Sequence, residues 1–426
     1  MSSSDDGSSV AGLGNADSAN AGVLTGVRVL DLSRVLAGPL CTQMLADFGA
    51  EVIKVERPGS GDDTRSWGPP WLADQEGNPT REASYYLSTN RGKQSITVDM
   101  SSPEGLDVVK RLVLQSDVVV ENFKVGGLKK YGLDYETLAQ VKPDLIYTSV
   151  SGFGQDGPRA DKPGYDYLAQ AMSGLMSVTG RADGEEGAGP LRAGVAITDQ
   201  ATGLFGAIAT LGALFHRERT GVGQQIDVSL FDSGLALLIN QALSYFVSGT
   251  VPSRTGEWHP SLAPYQPFDT TDARIVIAVG NNGQFAQLCS FLGLEELTTD
   301  PRFSENPARN QHRLELAGLL QAELRTRTKT EVLEGLAAHG VPAAPINNID
   351  QAFDDPQAVA RGSRIDLPHA VAGTVPGIAN PIRFSETPVE YRNGPPMLGE
   401  HTEQVLASLL GMSSEQIDKL RQAGAT

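Results

Sequence analysis

The chain has 426 residues, 40% hydrophobic and 20% charged, which suits two or three globular domains and excludes a disordered protein. A formal net charge of -17 argues against nucleic acid as the main partner, because a phosphate backbone needs a basic face. It leaves room for a small phosphorylated ligand held by a few local cations.

Met1 to Gly22 is rich in Ser, Asp, Ala and Gly and has neither a basic n-region nor an apolar h-region, so it reads as a disordered tail and not as a signal peptide. Val27 to Leu32 reads as a buried strand, Gly38 to Gly49 as a helix closed by a glycine, and Val52 to Glu56 as the next strand. A loop rich in Gly, Pro and Trp follows, from Arg57 to about Glu82. The pattern then repeats. Ser95 to Asp99 is a strand, Ser102-Pro103-Glu104 opens a helix, and Asp117 to Glu121 and Asp144 to Val150 are strands. Strands alternating with helices predict a doubly wound parallel sheet. Gln200 to Arg219 is a long helix, Gln224 to Leu230 a strand and Phe231 to Val247 a helix. Arg274 to Val279 is a strand, Gln284 to Gly340 is mostly helical, and a helical pair runs from Glu400 to Gly424. The apolar stretch from Ala201 to Phe215 is shorter than the roughly 20 residues a membrane span needs, so no membrane partner is expected.

The two cysteines, Cys41 and Cys289, stand far apart in the sequence and in no metal-ligand spacing. That excludes a disulfide scaffold and predicts reduced thiols in a reducing, cytoplasmic compartment. The six histidines form no HExxH motif, so no metal site is expected. Gly152-Phe-Gly154-Gln-Asp-Gly157 matches the GxGxxG fingerprint and follows a strand, but Pro158 and Lys162-Pro163 come next where the fingerprint must open a helix. A Gly-rich loop beside a site is the better reading. No GxxxxGK[ST] occurs.

Asp199 precedes the apolar run from Ala201, where an N-cap is its plainest role. The same place lies in the positive end of the helix macrodipole, which favours an ionised carboxylate, the form a nucleophile needs. Gly203 nearby would let an acyl group approach the backbone. Tyr165-Asp166 also reads as a helix start, and Asp166 with Asp199 would make a carboxylate pair if the two meet. Arg57, Asn122 and Lys130 come just after strand ends, where open α/β sheets bind ligands.

Together these segments resemble the family III CoA-transferases, whose fold the α-methylacyl-CoA racemases share. The resemblance runs from about residue 24 to the C-terminus. It is carried by LDLSRVLAGPLCTQMLADFGAEVIKVERPGSGD (30–62), SITVDMSSPEG (95–105), DVVVENFKVGGLKKYGL (117–133), TDQATGLFGAIATLGAL (198–214), TGVGQQIDVSLFD (220–232) and PPMLGEHTEQVL (395–406). It implies a Rossmann-like large domain (23–225), a smaller α/β second domain with linkers (226–345) and a C-terminal segment (346–426) returning to the large one, two chains interlocking as a homodimer. It implies Asp199 as nucleophile, with CoA contacts at Ala37, Arg57, the turn Val98 to Ser101, Asn122, Phe123, Lys124, Lys130 and the segment reaching Tyr165 and Asp166. No cofactor is held permanently. An acyl-CoA thioester and a small carboxylic acid are the substrates, and backbone N–H groups near Gly38 and Gly280 are candidate oxyanion donors. Racemases carry a histidine where Tyr165 stands. The stretch HPSLAPYQPF (259–268) replaces the four-glycine run of formyl-CoA transferase, which points to succinyl-CoA-dependent, glutarate-type members. Racemase or epimerase chemistry and a non-catalytic acyl-CoA binder are the alternatives.

Overall fold

The computed structural model describes residues 22–426; the tail expected at the N-terminus lies outside them but for Gly22. By contacts the described residues divide into two compact units, one of 22–169, 196–234 and 362–426, the other of 170–195 and 235–361.

In the first unit β1 (Arg28–Asp31), α1 (Ala37–Asp47) and β2 (Glu51–Glu56) lead into a β3–β4 hairpin (Trp71–Ala73, Pro79–Ala83) and a short α2 (Ser84–Leu87). Then come β5 (Lys93–Thr97), α3 (Pro103–Leu114), β6 (Val118–Glu121), α4 (Tyr135–Val141), β7 (Ile146–Ser151) and α5 (Asp166–Met172). A minor β8–β9 ladder (Gly180–Arg181, Gly189–Pro190), which belongs to the second unit, comes next in the chain, before α6 (Ile197–Thr220) and β10 (Gln224–Ser229) of the first. Six strands form one parallel sheet in the order β10-β7-β6-β1-β2-β5. Their apolar runs are continuous because helices cover both faces: Val29, Leu30, Ile53, Val118 and Val119 are all buried. Ser102 caps α3 by accepting from Gly105 N at 3.0 Å, with Pro103 at its first position.

The order has a consequence for function. From β1 the chain winds through β2 to β5, then returns past β1 to β6, β7 and β10. The direction reverses between β1 and β6, so their carboxyl ends diverge and open a crevice. Helix α6 lies close against α1, because a Cβ on Gly203 would stand 2.7 Å from Ala37 O and one on Gly206 3.3 Å from Cys41 Sγ.

Residues 362–426 return to the first unit with a hairpin and two helices. The second unit contains α8 (Ile239–Ser248), which follows α7 (Leu230–Ala236), then β11 (Tyr265–Asp269), β12 (Arg274–Ala278) and α9 (Asn282–Leu292). After α10 (Asn306–Gln311), α11 (Arg313–Leu324) and α12 (Lys329–Ala338) comes β13 (Ala343–Pro345), which completes an antiparallel β11-β12-β13 sheet. Phe268, Ile275, Phe285, Leu288, Leu320 and Leu336 form the unit's own core. After α13 (Ile349–Asp354) and α14 (Pro356–Ala360), the first unit resumes with β14 (Arg364–His369), β15 (Gly373–Ile378), α15 (Thr402–Leu410) and α16 (Ser414–Gln422). This last stretch guards the edge strand β5: His401 N donates to Ser95 O at 2.9 Å and Thr97 N to Thr402 Oγ1 at 3.0 Å.

Three expectations change. The loop from Arg57 to Glu82 contains the β3–β4 hairpin, whose strands are too short to show alternation. The single helix expected over Phe231 to Val247 is two, α7 and α8, parted where Ile239 takes a φ of 33°. The strand pair β14–β15 falls in a stretch where no strand was expected. Cys41 and Cys289 are both buried and free, and among the described residues no single helix is long and apolar enough to cross a membrane.

Candidate active site

Two clefts open at the carboxyl edge of the parallel sheet. One, of about 720 Å³, is lined by Arg57, Val98, Ser101 and Tyr131 among others. The second, of about 750 Å³, holds Ala37, Trp67, Asn122, Lys124, Tyr165 and Asp199. Arg34, Asp63 and Phe123 line both, so the two form one groove running from the ends of β2 and β5 to the start of α6. Arg57 and Lys124 are exposed and have no ion-pair partner among the described residues. Two glycines bring the far wall in: Gly152 and Gly164 cross so closely that a Cβ on Gly152 would stand 2.5 Å from Gly164 Cα, which carries Tyr165 to the end of β7. No helix opens within the Gly152–Gly157 segment, where Gly154 and Gly157 have φ of 93° and 83°.

Most of the residues singled out from the sequence thus share the groove, but several do work other than contact. Val98 has its side chain in the core. Ser101 donates its hydroxyl to Asp99 Oδ1 at 2.6 Å. Asn122 spends its amide on the β1–α1 loop, accepting from Arg34 N at 3.0 Å and donating to Arg34 O at 2.7 Å. Lys130 lines neither cleft; its Nζ lies 4.5 Å over the ring of Tyr131. Gly203 faces α1, so its missing side chain serves helix packing and not acyl approach. Gly38 is required by Ser33, whose Cβ would stand 2.4 Å from an added Cβ, and the N–H of Gly280 is donated to Gln284 Oε1 at 2.7 Å.

Asp199 is not an N-cap. Ala196 takes that place without a side-chain hydrogen bond, and Asp199 stands in the first turn of α6. Asp166 reaches beyond its own helix. It is the first residue of α5, and its Oδ1 accepts from Thr198 Oγ1 at 2.6 Å, Thr198 N at 2.9 Å and Asp199 N at 3.4 Å. The two carboxylates therefore meet, with Asp166 satisfying the exposed N–H groups at the start of α6. Burial, then the charge of Asp166, pushes the Asp199 carboxyl up to about 7. Enclosure thus outweighs the helix end, which by itself favours ionisation. Tyr85 was not foreseen. Burial, then Asp199 and Asp166, raises its hydroxyl above the usual range, and its ring meets Trp67 edge-on at 5.1 Å.

A half-buried carboxylate beside a second one, at the switch point of a parallel sheet, in one groove with unpaired cations, suits covalent chemistry on a phosphorylated substrate. Over residues 24–402 the chain matches the family model described as CoA-transferase family III. The chain belongs to this family. Over 386 residues it is 49% identical to a succinate–glutarate CoA-transferase of Agrobacterium fabrum, covering 91% of this chain and 95% of that one. It is 43% identical to a succinyl-CoA:glutarate CoA-transferase of Mus musculus, covering 94% and 89%. A crystal structure of a CAIB/BAIF family protein from Brucella suis superposes with a TM-score of 0.82 at 47% identity, covering 92% of this chain and all 100% of that one.

Beneath the groove this family III CoA-transferase has a buried charged floor. Asp31 lies under the β1–α1 loop with Lys93 at 3.0 Å, and Lys54 binds Asp62 at 2.9 Å. Arg65 joins Glu56 at 2.7 Å and Glu82 at 2.5 Å. At the end of β6, Glu121 is buried and accepts from Phe123 N at 2.8 Å, fixing the backbone of a residue shared by both clefts. Burial is the main cause that pushes its carboxyl up from 4.5 to about 7. The folded state therefore holds this proton more tightly than the unfolded chain does. The resulting stability is full below pH 4.5 and lost as pH rises to about 7. Glu121→Gln is expected to flatten the pH dependence of the melting temperature across that window and to raise it at pH 8. A lower melting temperature at pH 8 would show that the ionised carboxylate is stabilising instead.

Proposed function

We propose that this CoA-transferase moves CoA from succinyl-CoA, or a close relative of it, to a free dicarboxylic acid through covalent attachment at Asp199. One observation carries the reading: Asp199 and the unpaired cations Arg57 and Lys124 line a single groove at the sheet's switch point. The names of the relatives, succinate–glutarate and succinyl-CoA:glutarate CoA-transferase, supply the acids.

The ionised Asp199 attacks the thioester carbonyl; the carbon–sulfur bond breaks, giving an aspartyl-acyl anhydride and CoA thiolate. The thiolate attacks the Asp199 carbonyl and expels the donor as a free carboxylate, leaving CoA in thioester linkage to Asp199. The acceptor carboxylate attacks that carbonyl and expels the thiolate, forming a second anhydride. The thiolate then attacks the acceptor's acyl carbon, which releases the new acyl-CoA and restores Asp199. Donor, acceptor and Asp199 are all carboxylates, so each half-reaction exchanges one carboxylate for another on CoA: the thiolate displaced in one step is the nucleophile of the next, and a thioester is recovered at the end of each pair of steps. A carboxyl near 7 is partly ionised at neutral pH and, once ionised in its half-buried place, is a stronger nucleophile than a solvated one. Asp166, bonded to Thr198 and Asp199 N, holds the first turn of α6 still. The working form we propose is a homodimer, as the family resemblance implies, in the cytoplasm, as two cysteines in no disulfide or metal spacing suggest.

Intact-protein mass spectrometry after incubation with succinyl-CoA tests the reading. A hydroxylamine-sensitive adduct on the peptide containing Asp199 is expected; its absence, with α-proton exchange into deuterated water, would favour an acyl-CoA racemase. Arg57 lines the end of the groove away from Asp199, so Arg57→Ala should raise the KM for the CoA ester ~10-fold and change kcat little. An equal fall in kcat would move Arg57 from ground-state binding to the reacting centre.

A further inference from the structure

Among the described residues only Val35 and Ile239, glycine apart, have a backbone in the left-handed region. Val35, with a φ of 74°, stands in the loop between β1 and α1 and lines the same cleft as Asp199. A β-branched side chain disfavours that conformation strongly, so it persists only where the surroundings impose it.

Here the surroundings are specific. Val35 N donates to both oxygens of Asp62, at 3.2 Å each. Asp62 is buried and is itself held by Lys54 Nζ at 2.9 Å, Thr64 Oγ1 at 2.7 Å and Thr64 N at 3.0 Å. Lys54 also donates to Ser33 O at 2.8 Å, and Asn122 grips both backbone groups of Arg34. Three consecutive residues, Ser33, Arg34 and Val35, are thus clamped from outside the loop. The next two, Leu36 and Ala37, form the cleft wall shared with Asp199.

We propose that Asp62 is a positioning residue for acyl transfer. It holds Val35 in the left-handed turn and so fixes the Leu36–Ala37 wall against which the thioester carbonyl meets Asp199. The proposal rests on the reading of Asp199 as the acylated group. Asp62 lies at the floor of the first cleft, but it is only 3% exposed and both its oxygens are taken by Val35, Lys54 and Thr64, so it acts through the turn. Its loss should therefore lower kcat and leave the KM of the CoA ester nearly unchanged, because an ångström of misplacement at a reacting centre costs ~100-fold in rate.

The test is steady-state kinetics together with the rate of adduct formation on Asp199, for the wild type, Asp62→Asn, the double variant Asp62→Asn with Val35→Gly, and Val35→Pro. Asp62→Asn should lose ~100-fold in kcat with KM within about threefold. The double variant should regain at least ~10-fold, because glycine adopts the left-handed turn without a clamp. Val35→Pro leaves the Lys54–Asp62 pair intact but locks φ near -65°, so it should show the same kcat loss even if Asp62→Asn folds poorly. Adduct formation in the wild type and at the same rate in Asp62→Asn and Val35→Pro would overturn this proposal alone. A double variant no faster than Asp62→Asn would overturn it too. No adduct in the wild type would overturn the Asp199 reading and this proposal with it.

Discussion

Asp199→Asn is expected to abolish CoA transfer, by at least ~1000-fold, as loss of a covalent nucleophile does, and at the same time to make the protein harder to unfold at pH 8. The second effect follows from the site itself. Burial, with Asp166 adding to it, raises the Asp199 carboxyl from 3.8 to about 7. The folded protein holds that proton more tightly than the unfolded chain does. The contribution to stability is therefore full below pH 3.8 and is lost as pH rises to about 7. At pH 8 the ionised carboxylate is a cost, which the neutral amide removes. Allowing for solvent screening of a half-buried group, the gain should be ~1–2 kcal/mol. Calorimetry at pH 5 and pH 8 checks it: the increment in melting temperature should be clearly larger at pH 8. An equal increment at both values would mean that Asp199 is not strained by its charge, and near wild-type transfer by the variant would remove it from the mechanism.

Asp31→Ala is expected to be the most damaging single change to the fold. Asp31 is fully buried and accepts from Thr42 Oγ1 at 2.6 Å, Ser33 N at 2.9 Å and Lys93 Nζ at 3.0 Å. Burial alone would raise its carboxyl, but Lys93, Lys54, Ser33 and Thr42 together outweigh it and hold it down at about 2. Burial already lowers Lys93 to about 8 and Asp31 is the main group holding it up, so removing Asp31 leaves an enclosed amine without its counter-charge; losing one partner of a buried pair costs ~3–5 kcal/mol. Urea unfolding at pH 7 measures this. Asp31→Leu combined with Lys93→Met should recover most of the loss, since an apolar pair of similar volume has no charge to desolvate. If the double change is as damaging as the single one, the hydrogen bonds to Ser33 and Thr42 carry the stability, not the ion pair. The depressed carboxyl also sets an acid limit: its contribution is present above pH 3.8 and is lost as pH falls to about 2.

How much of this was legible in the sequence depends on the range of the interaction. The strands β1, β2, β6 and β7 could be read because a sheet covered on both faces demands continuous apolar runs, and α3 because Ser102-Pro103 marks a helix start within three residues. The place of Asp199 near a helix start was legible for the same reason. Asp166 was legible as a possible partner, but the meeting of the two was not. Asp166 reaches the N–H of Thr198 across 32 positions, and no local pattern announces a carboxylate that caps another segment's helix. Gly203 misled for a related reason: a glycine looks alike in sequence whether it admits a ligand or, as here, the backbone of α1. The role of Asp62 was equally hidden, because it depends on Val35 turning against its own preference.

The guarded edge of β5 has a consequence for biogenesis. Ser95 Oγ accepts from Gly399 N across 304 positions, so the segment that covers the strand is translated long after the strand itself. At ~5–20 residues per second, β5 waits on the order of 15–60 s with its hydrogen-bonding edge open. Through that interval the nascent sheet presents a template on which another nascent chain can pair. Translation speed over the stretch of message between Ser95 and Gly399, and chaperone occupancy during it, should therefore govern the yield of this enzyme more than changes in the sheet's own residues do.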